Sequence, residues 1–241
     1  PAYAGQDMIY TDGDTLMQGY FAPSTCENGK DAPVVYVIHQ WKGLGAYEKD
    51  RSDMLAGKCY NVFAVDMYGK DVRPADVAGA KTQSTIYKTD PTFSKQRINA
   101  ARAFVQSEGY TNDKDAIIGY CFGGTMALDY ARAGSDVDGV VSFHGGLSTK
   151  RTISEDSPLT ASIQVHHGAA DPHVPPEQVE AFTAEMDAAN ADWQLNIYAD
   201  AVHAFTEKEA GNDSSTGVAY NEKADMRSWA GTLAFLDEVL K

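Results

Sequence analysis

Gly119-Tyr120-Cys121-Phe122-Gly123-Gly124 is the stretch on which the reading of the chain turns. It follows the apolar run Ala116-Ile117-Ile118 and precedes Met126-Ala127-Leu128, the start of a segment of helical character that reaches Ala131. A strand, a tight turn flanked by glycines and a helix form the setting in which a G-x-nucleophile-x-G pattern has mechanical meaning. The glycines relieve crowding where the turn forces an unfavourable backbone, so the central residue projects alone above the sheet. Here that residue is a cysteine. The pattern predicts a thiol nucleophile on an α/β scaffold.

Working outward, short apolar runs alternate with segments of helical period. Residues 8–11 and 16–21 read as strands joined through Asp12-Gly13-Asp14, a hairpin signal. Residues 34–38 read as a strand buried on both faces and 62–65 as the next buried strand; 116–118, 140–143 and 162–165 also read as strands, and 193–198 as the last. Helices are expected at 46–57, within 73–90, from Pro91, after Cys121, from Pro175-Pro176 to about Ala189, and over 222–240. The C-terminal helix is expected to bury Met226, Trp229, Leu233 and Leu236. This order predicts a single α/β domain over 1–241. Its mainly parallel central sheet has helices on both faces and an antiparallel hairpin at the N-terminus. In such sheets chemistry gathers at the carboxyl ends of the strands. His39, Gln40, Asp66, Cys121, His144, His167, Asp171 and His203 all fall at or just past those ends.

Composition narrows the function. A net charge of -14 over 241 residues argues against nucleic acid and anionic membrane surfaces as partners. No apolar run approaches the length of a membrane span and no signal peptide is visible. The chain opens at Pro1 without an initiator methionine, which leaves cytoplasm and an extracytoplasmic space both open. Three cysteines are an odd count. Cys26 and Cys59 each precede a buried strand, so both lie at the amino-terminal edge of the sheet, where either a disulfide or two surface thiols fits. A disulfide would favour an extracytoplasmic home.

Chemistry at Cys121 needs a base and an orienting acid. A thiol attacks as the thiolate, which a helix N-terminus and a neighbouring histidine both favour. In the chain order nucleophile, acid, histidine, the partners are Asp171 after one strand and His203 after the last. Asp200, near His203 in sequence, is the competing acid. The oxyanion formed on a carbonyl needs two backbone donors, expected from the N–H groups of Phe122 and Trp41. Trp41, Tyr68, Phe122 and Phe205 either line a pocket or belong to the core, and His39 and His144 read as hydrogen-bonding rather than reacting groups. Zinc on His166, His167, Asp171, His173 and His203 is a rival reading. Adjacent strand residues face opposite ways, however, and the spacing matches no usual zinc pattern. A second rival is an oxidisable sensor thiol at Cys121 on a non-catalytic scaffold. A sensor would not need Asp171 and His203.

With these residues in place, the sequence resembles the dienelactone hydrolase family of the α/β-hydrolases. The likeness runs from about Asp12 to Leu240. It rests on Val65-Asp66-Met67-Tyr68-Gly69, the Gly119 to Gly124 block, Phe143-His144-Gly145-Gly146, Asp171-Pro172-His173-Val174-Pro175 and His203-Ala204-Phe205-Thr206. The resemblance implies ester or lactone hydrolysis by a Cys-Asp-His triad through a thioester acyl-enzyme. It also implies no metal or other cofactor, a small-molecule substrate, and a monomer or homodimer. Two departures stand out. Gln40 occupies the position of a glutamate that in this family engages the resting thiol. Of the two arginines that hold a substrate carboxylate, Lys70 replaces one and Thr206-Glu207 stand at the other. A lysine keeps a charge without the bidentate fork and a glutamate repels a carboxylate, so a less charged ester or lactone is expected. Gln40, Tyr68, Lys70 and Phe205 are the candidate substrate-binding residues.

Overall fold

A computed structural model describes residues 5–27, 29–110, 112–151, 153–154 and 156–241, with backbone alone at Pro91. The opening residue Pro1 and two positions of the loop 148–158, Thr152 and Glu155, lie outside the described residues. The chain divides into two compact units, Pro1–Ile117 and Ile118–Lys241.

In the first unit β1 (Gln6–Asp12) and β2 (Thr15–Ala22) form the expected antiparallel hairpin, turning at Gly13 with φ +56. Only a residue without Cβ takes that conformation at no cost. β3 (Val34–Ile38) leads through α1 (Ala46–Ala56) to β4 (Asn61–Val65), which pairs parallel with β3 and antiparallel with β2. Every residue of β3 and β4 is buried, which is why β3 and, after Asn61, β4 read as unbroken apolar runs. α2 (Val77–Thr89) and α3 (Pro91–Ser107) follow, each started by an aspartate whose side chain accepts backbone N–H bonds, Asp76 and Asp90. Just past β4, Asp66 is sealed from solvent and accepts from the N–H groups of Gln18, Tyr68 and Gly69. It ties the hairpin to the strand-end loop.

Cys26 and Cys59 form a disulfide with Cα atoms 5.2 Å apart, resolving the two alternatives the sequence left open. The half-cystines are separated by 33 residues, and closing a loop of that length removes roughly 3–4 kcal/mol of chain entropy from the unfolded state. Urea unfolding of a Cys26→Ser/Cys59→Ser double variant is expected to show a loss of that order. An unchanged midpoint would mean that the bridge adds nothing.

The second unit begins within β5 (Asp115–Tyr120) and continues with α4 (Phe122–Arg132), β6 (Gly139–Phe143), β7 (Ser162–Gly168), α5 (Pro176–Ala188), β8 (Trp193–Tyr198) and α6 (Glu222–Val239). β6, β7 and β8 pair in parallel register. Arg132, at the end of α4, is 1% exposed and fully engaged. It donates to Glu185 on α5, to Asp129, and to the Leu147 carbonyl; Thr149 in turn donates to Asp129. A buried charge is tolerable only with this degree of pairing, and the cluster fixes the loop that leaves β6.

α6 corrects the expected buried face. Met226 is 65% exposed, and Trp229 and Leu233 are half-buried. The buried stripe is Ala224, Asp225, Ser228, Thr232, Phe235 and Leu236. Polar members displace the apolar ones because they have partners. Thr232 Oγ1 lies 3.0 Å from His166 Nε2, and Ser228 donates to the Asp225 carbonyl. His166 belongs to a polar seam over β7 and β8, with Tyr198 Oη on its Nδ1 at 2.8 Å and Gln164 Oε1 on its Nε2 at 2.9 Å. Gln164 donates onward to Gln194.

Candidate active site

The turn between β5 and α4 places Cys121 at the N-cap of α4 with φ 53 and ψ -114, a conformation that is costly for a residue with a side chain. Two supports hold it. The Cys121 N–H donates to the Phe143 carbonyl at 2.9 Å, tying the turn to the end of β6. Gly119 then lies directly against Gly123, so close that a Cβ would overlap its carbonyl, and a Cβ on Gly124 would come within 2.5 Å of Ser142 Oγ. Gly119→Ala is therefore expected to lower stability by about 3 kcal/mol through overpacking against backbone that has nowhere to go. Denaturant unfolding beside a Gly13→Ala control measures it, and equal losses at the two positions would overturn the close approach.

Three of the sequence candidates meet here. His203 Nε2 lies 3.0 Å from Cys121 Sγ, and His203 Nδ1 lies 2.9 Å from Asp171 Oδ2. Cys121 is a free thiol and half-buried; the His203 side chain is 13% exposed and that of Asp171 fully covered. The other oxygen of Asp171 accepts the His173 N–H at 2.8 Å. Asp200 is exposed and sits at φ 59 in the turn after β8, so His203 is oriented by Asp171.

Charge follows geometry. Burial opposes a proton on His203, but Cys121 and Asp171 outweigh it and push its pKa up to about 10. Burial likewise favours a neutral Asp171, yet the hydrogen bond and charge of His203 and the N–H of His173 hold its carboxyl below the usual range. The imidazole between thiol and carboxylate is thus the group stabilised as a cation. His166 is opposite in character. Burial alone lowers its pKa to about 3, and it is a neutral member of the polar seam. His167 points to the other face of β7, is buried, and is also driven toward neutrality by burial. Its Nδ1 has no hydrogen-bond partner among the described residues.

His203 is held by the backbone of the segment 217–219. Its N–H donates to the Gly217 carbonyl at 3.2 Å, and its own carbonyl accepts the Ala219 N–H at 3.1 Å. Gly217, at φ +78, lies against Pro172, next to Asp171. The only advance signal was the glycine itself. Two imidazoles flank His203 edge-to-face, His144 at 5.1 Å and His173 at 5.0 Å between ring centroids. His144 is buried with Nε2 on Thr206 Oγ1 at 3.0 Å. Phe205 is fully buried against His144 and Tyr198, so it acts on the site through His144 rather than at an open surface. Phe122, the first residue of α4, is buried and directs its N–H out of the helix N-terminus, beside Cys121.

The remaining candidates lie in the first unit. Tyr68 is buried and donates from Oη to the Trp41 carbonyl at 2.9 Å. The Gln40 N–H donates to Glu48 Oε1 at 3.1 Å, while Glu48 Oε2 accepts from Gly45 at the start of α1. His39 accepts the Met67 N–H on Nε2 and bonds the Gln40 carbonyl through Nδ1; burial lowers its pKa to about 4. Lys70 is half-buried, its N–H on the Leu16 carbonyl. No helix among the described residues is long and apolar enough to cross a membrane.

Residues 17–240 match the dienelactone hydrolase family. An uncharacterised protein of Caenorhabditis elegans is 40% identical over 146 residues, 60% of this chain and 92% of that protein. A carboxymethylenebutenolidase of Pseudomonas putida is 24% identical over 199 residues, 80% of this chain and 83% of that protein. Among solved structures, a dienelactone hydrolase-like promiscuous phosphotriesterase from metagenomic libraries is 30% identical, with a TM-score of 0.87 and all of both chains covered.

Proposed function

The chain belongs to the dienelactone hydrolase family, a group of hydrolases on the α/β-hydrolase fold, and on that premise we propose that it cleaves small carboxylic esters or lactones with Cys121 as nucleophile, His203 as base and Asp171 as orienter. The observation that supports this is the continuous series from Sγ through the imidazole to the carboxylate, at 3.0 and 2.9 Å. We take residues 1–241 to work as one domain, a reading that rests on the span of the family match.

The steps follow from the residues. At rest the thiol proton has passed to His203 Nε2, leaving a Cys121 thiolate beside an imidazolium that Asp171 stabilises on Nδ1. The thiolate adds to the acyl carbon, an S–C bond forms, and the carbonyl electrons move to oxygen. That oxyanion is met by the Phe122 N–H and the positive end of α4. Trp41 N–H is proposed as the second donor, on the order of the motifs in the chain. The alkoxide leaves as the C–O bond breaks and takes the proton from His203. Water then attacks the thioester, His203 accepts its proton, and collapse returns the thiolate with release of the acid. Gln40 hydrogen-bonds without adding negative charge, so His203 activates the thiol more directly. Tyr68 and Lys70 are proposed to border the substrate, and Glu207 disfavours acyl groups that carry a carboxylate.

Intact-mass measurement during turnover of p-nitrophenyl acetate tests the covalent step. One acetyl group on the wild-type chain, localised to Cys121 by peptide mapping, is expected. Turnover without any adduct, even after rapid acid quench, would argue for direct attack by water. No turnover of any short ester by the reduced protein would favour the sensor-thiol reading.

A further inference from the structure

Of the two imidazoles that flank His203, only one faces outward. His144 is buried, with Nε2 committed to Thr206, whereas His173 is exposed. The position of His173 is nevertheless fixed relative to the reacting groups. Its N–H is held by Asp171, its ring meets that of His203 at 5.0 Å with an interplanar angle of 76°, and Pro172 and Pro175 restrict the chain on either side.

We propose that His173 is a specificity-determining residue that contacts the alcohol portion of the substrate, favouring esters whose alcohol carries an anionic or hydrogen-bond-accepting group. This rests on the Cys121–His203 reading of the site. When the ester bond breaks, the departing oxygen must lie within hydrogen-bond reach of His203 Nε2, because that nitrogen supplies its proton. The acyl oxygen is directed to the N-terminus of α4, so the alcohol substituent runs past the flank of the His203 ring. One flank is closed by His144; the open flank carries His173. An imidazole there donates a hydrogen bond in either charge state. The nearby Asp171 carboxylate does not oppose an anion at this rim, since its side chain is fully covered and compensated by His203.

The test compares two phenyl acetates, one with a carboxylate and one with a methyl group meta to the ester oxygen. For each protein the ratio of kcat/KM, carboxylate over methyl, cancels any loss of folded enzyme, and comparing that ratio between proteins cancels intrinsic reactivity. In His173→Ala that ratio is expected to fall about tenfold, the worth of one charge-assisted hydrogen bond, and in His173→Arg to stay at the wild-type value or rise. A ratio within about twofold of wild type in His173→Ala, or an equal fall in His173→Arg, would overturn the proposal while leaving the nucleophile assignment untouched. Turnover that persists in Cys121→Ala sinks the nucleophile assignment instead. Calorimetric titration of meta-hydroxybenzoate and meta-cresol into Cys121→Ala, with and without His173→Ala, reads the same preference without turnover. Equal affinities for the two phenols there would overturn it as well.

Discussion

In Cys121→Ala, turnover of p-nitrophenyl acetate is expected to fall by at least about a thousandfold, to a level set by binding and the helix N-terminus alone. The loss is large because the groups act as a unit: without Sγ, His203 has no proton to take and the acyl group nothing to bond. Cys121→Ser is the more informative companion. It keeps the strained turn, the α4 N-cap and the distance to His203, but offers a hydroxyl that is far harder to ionise than a thiol. Its activity should lie well below wild type and above Cys121→Ala. Initial rates on protein shown folded by its urea midpoint measure both. A Cys121→Ala rate within about tenfold of wild type would remove the cysteine from the chemistry.

The second large effect is at the other end of the series. Asp171→Asn keeps the shape of the side chain but presents an amide to His203 Nδ1, which favours the wrong tautomer; a fall in kcat of about ten-thousandfold is expected, with KM little changed. The charge state supplies an independent check. His203 has its pKa raised from 6.5 to about 10 in the folded chain, so the stability it contributes is complete below about pH 6.5 and fades as pH rises toward 10. Proton and nitrogen NMR of the ring should show an imidazolium at neutral pH that titrates far above the ordinary histidine range. In Cys121→Ala and in Asp171→Asn the midpoint should drop, since those two side chains are what outweigh burial. An unshifted midpoint in both variants would mean that neither partner stabilises the charge.

How far the sequence carries depends on whether a feature is local. The strands over 34–38 and 62–65 are legible because burial on both faces leaves an unbroken apolar run. The meeting of Cys121, Asp171 and His203 is legible because each lies within a few residues past the end of a strand. Contacts between segments distant in sequence are not legible. Nothing in Gly217 or Ala219 announces that their backbone grips His203. Phe205 reads as a pocket aromatic, and only the packed structure shows it sealed behind His144. α6 misled for a related reason. A search for apolar period finds Met226 and Leu233, whereas the helix turns Ser228 and Thr232 inward because hydrogen bonds await them.

That polar seam bears on how the sequence can drift. Gln164, His166, Gln194, Tyr198 and Thr232 satisfy one another across two strands and a helix. Replacing Gln164, His166 or Thr232, the three buried members, by an apolar residue strands a donor or acceptor in a dry interior, whereas replacing several together need not. Those three buried positions therefore behave as one inherited character: substitutions there should arrive in company, through intermediates of lowered stability, while the exposed flank of α6 around Met226 is free to vary one residue at a time.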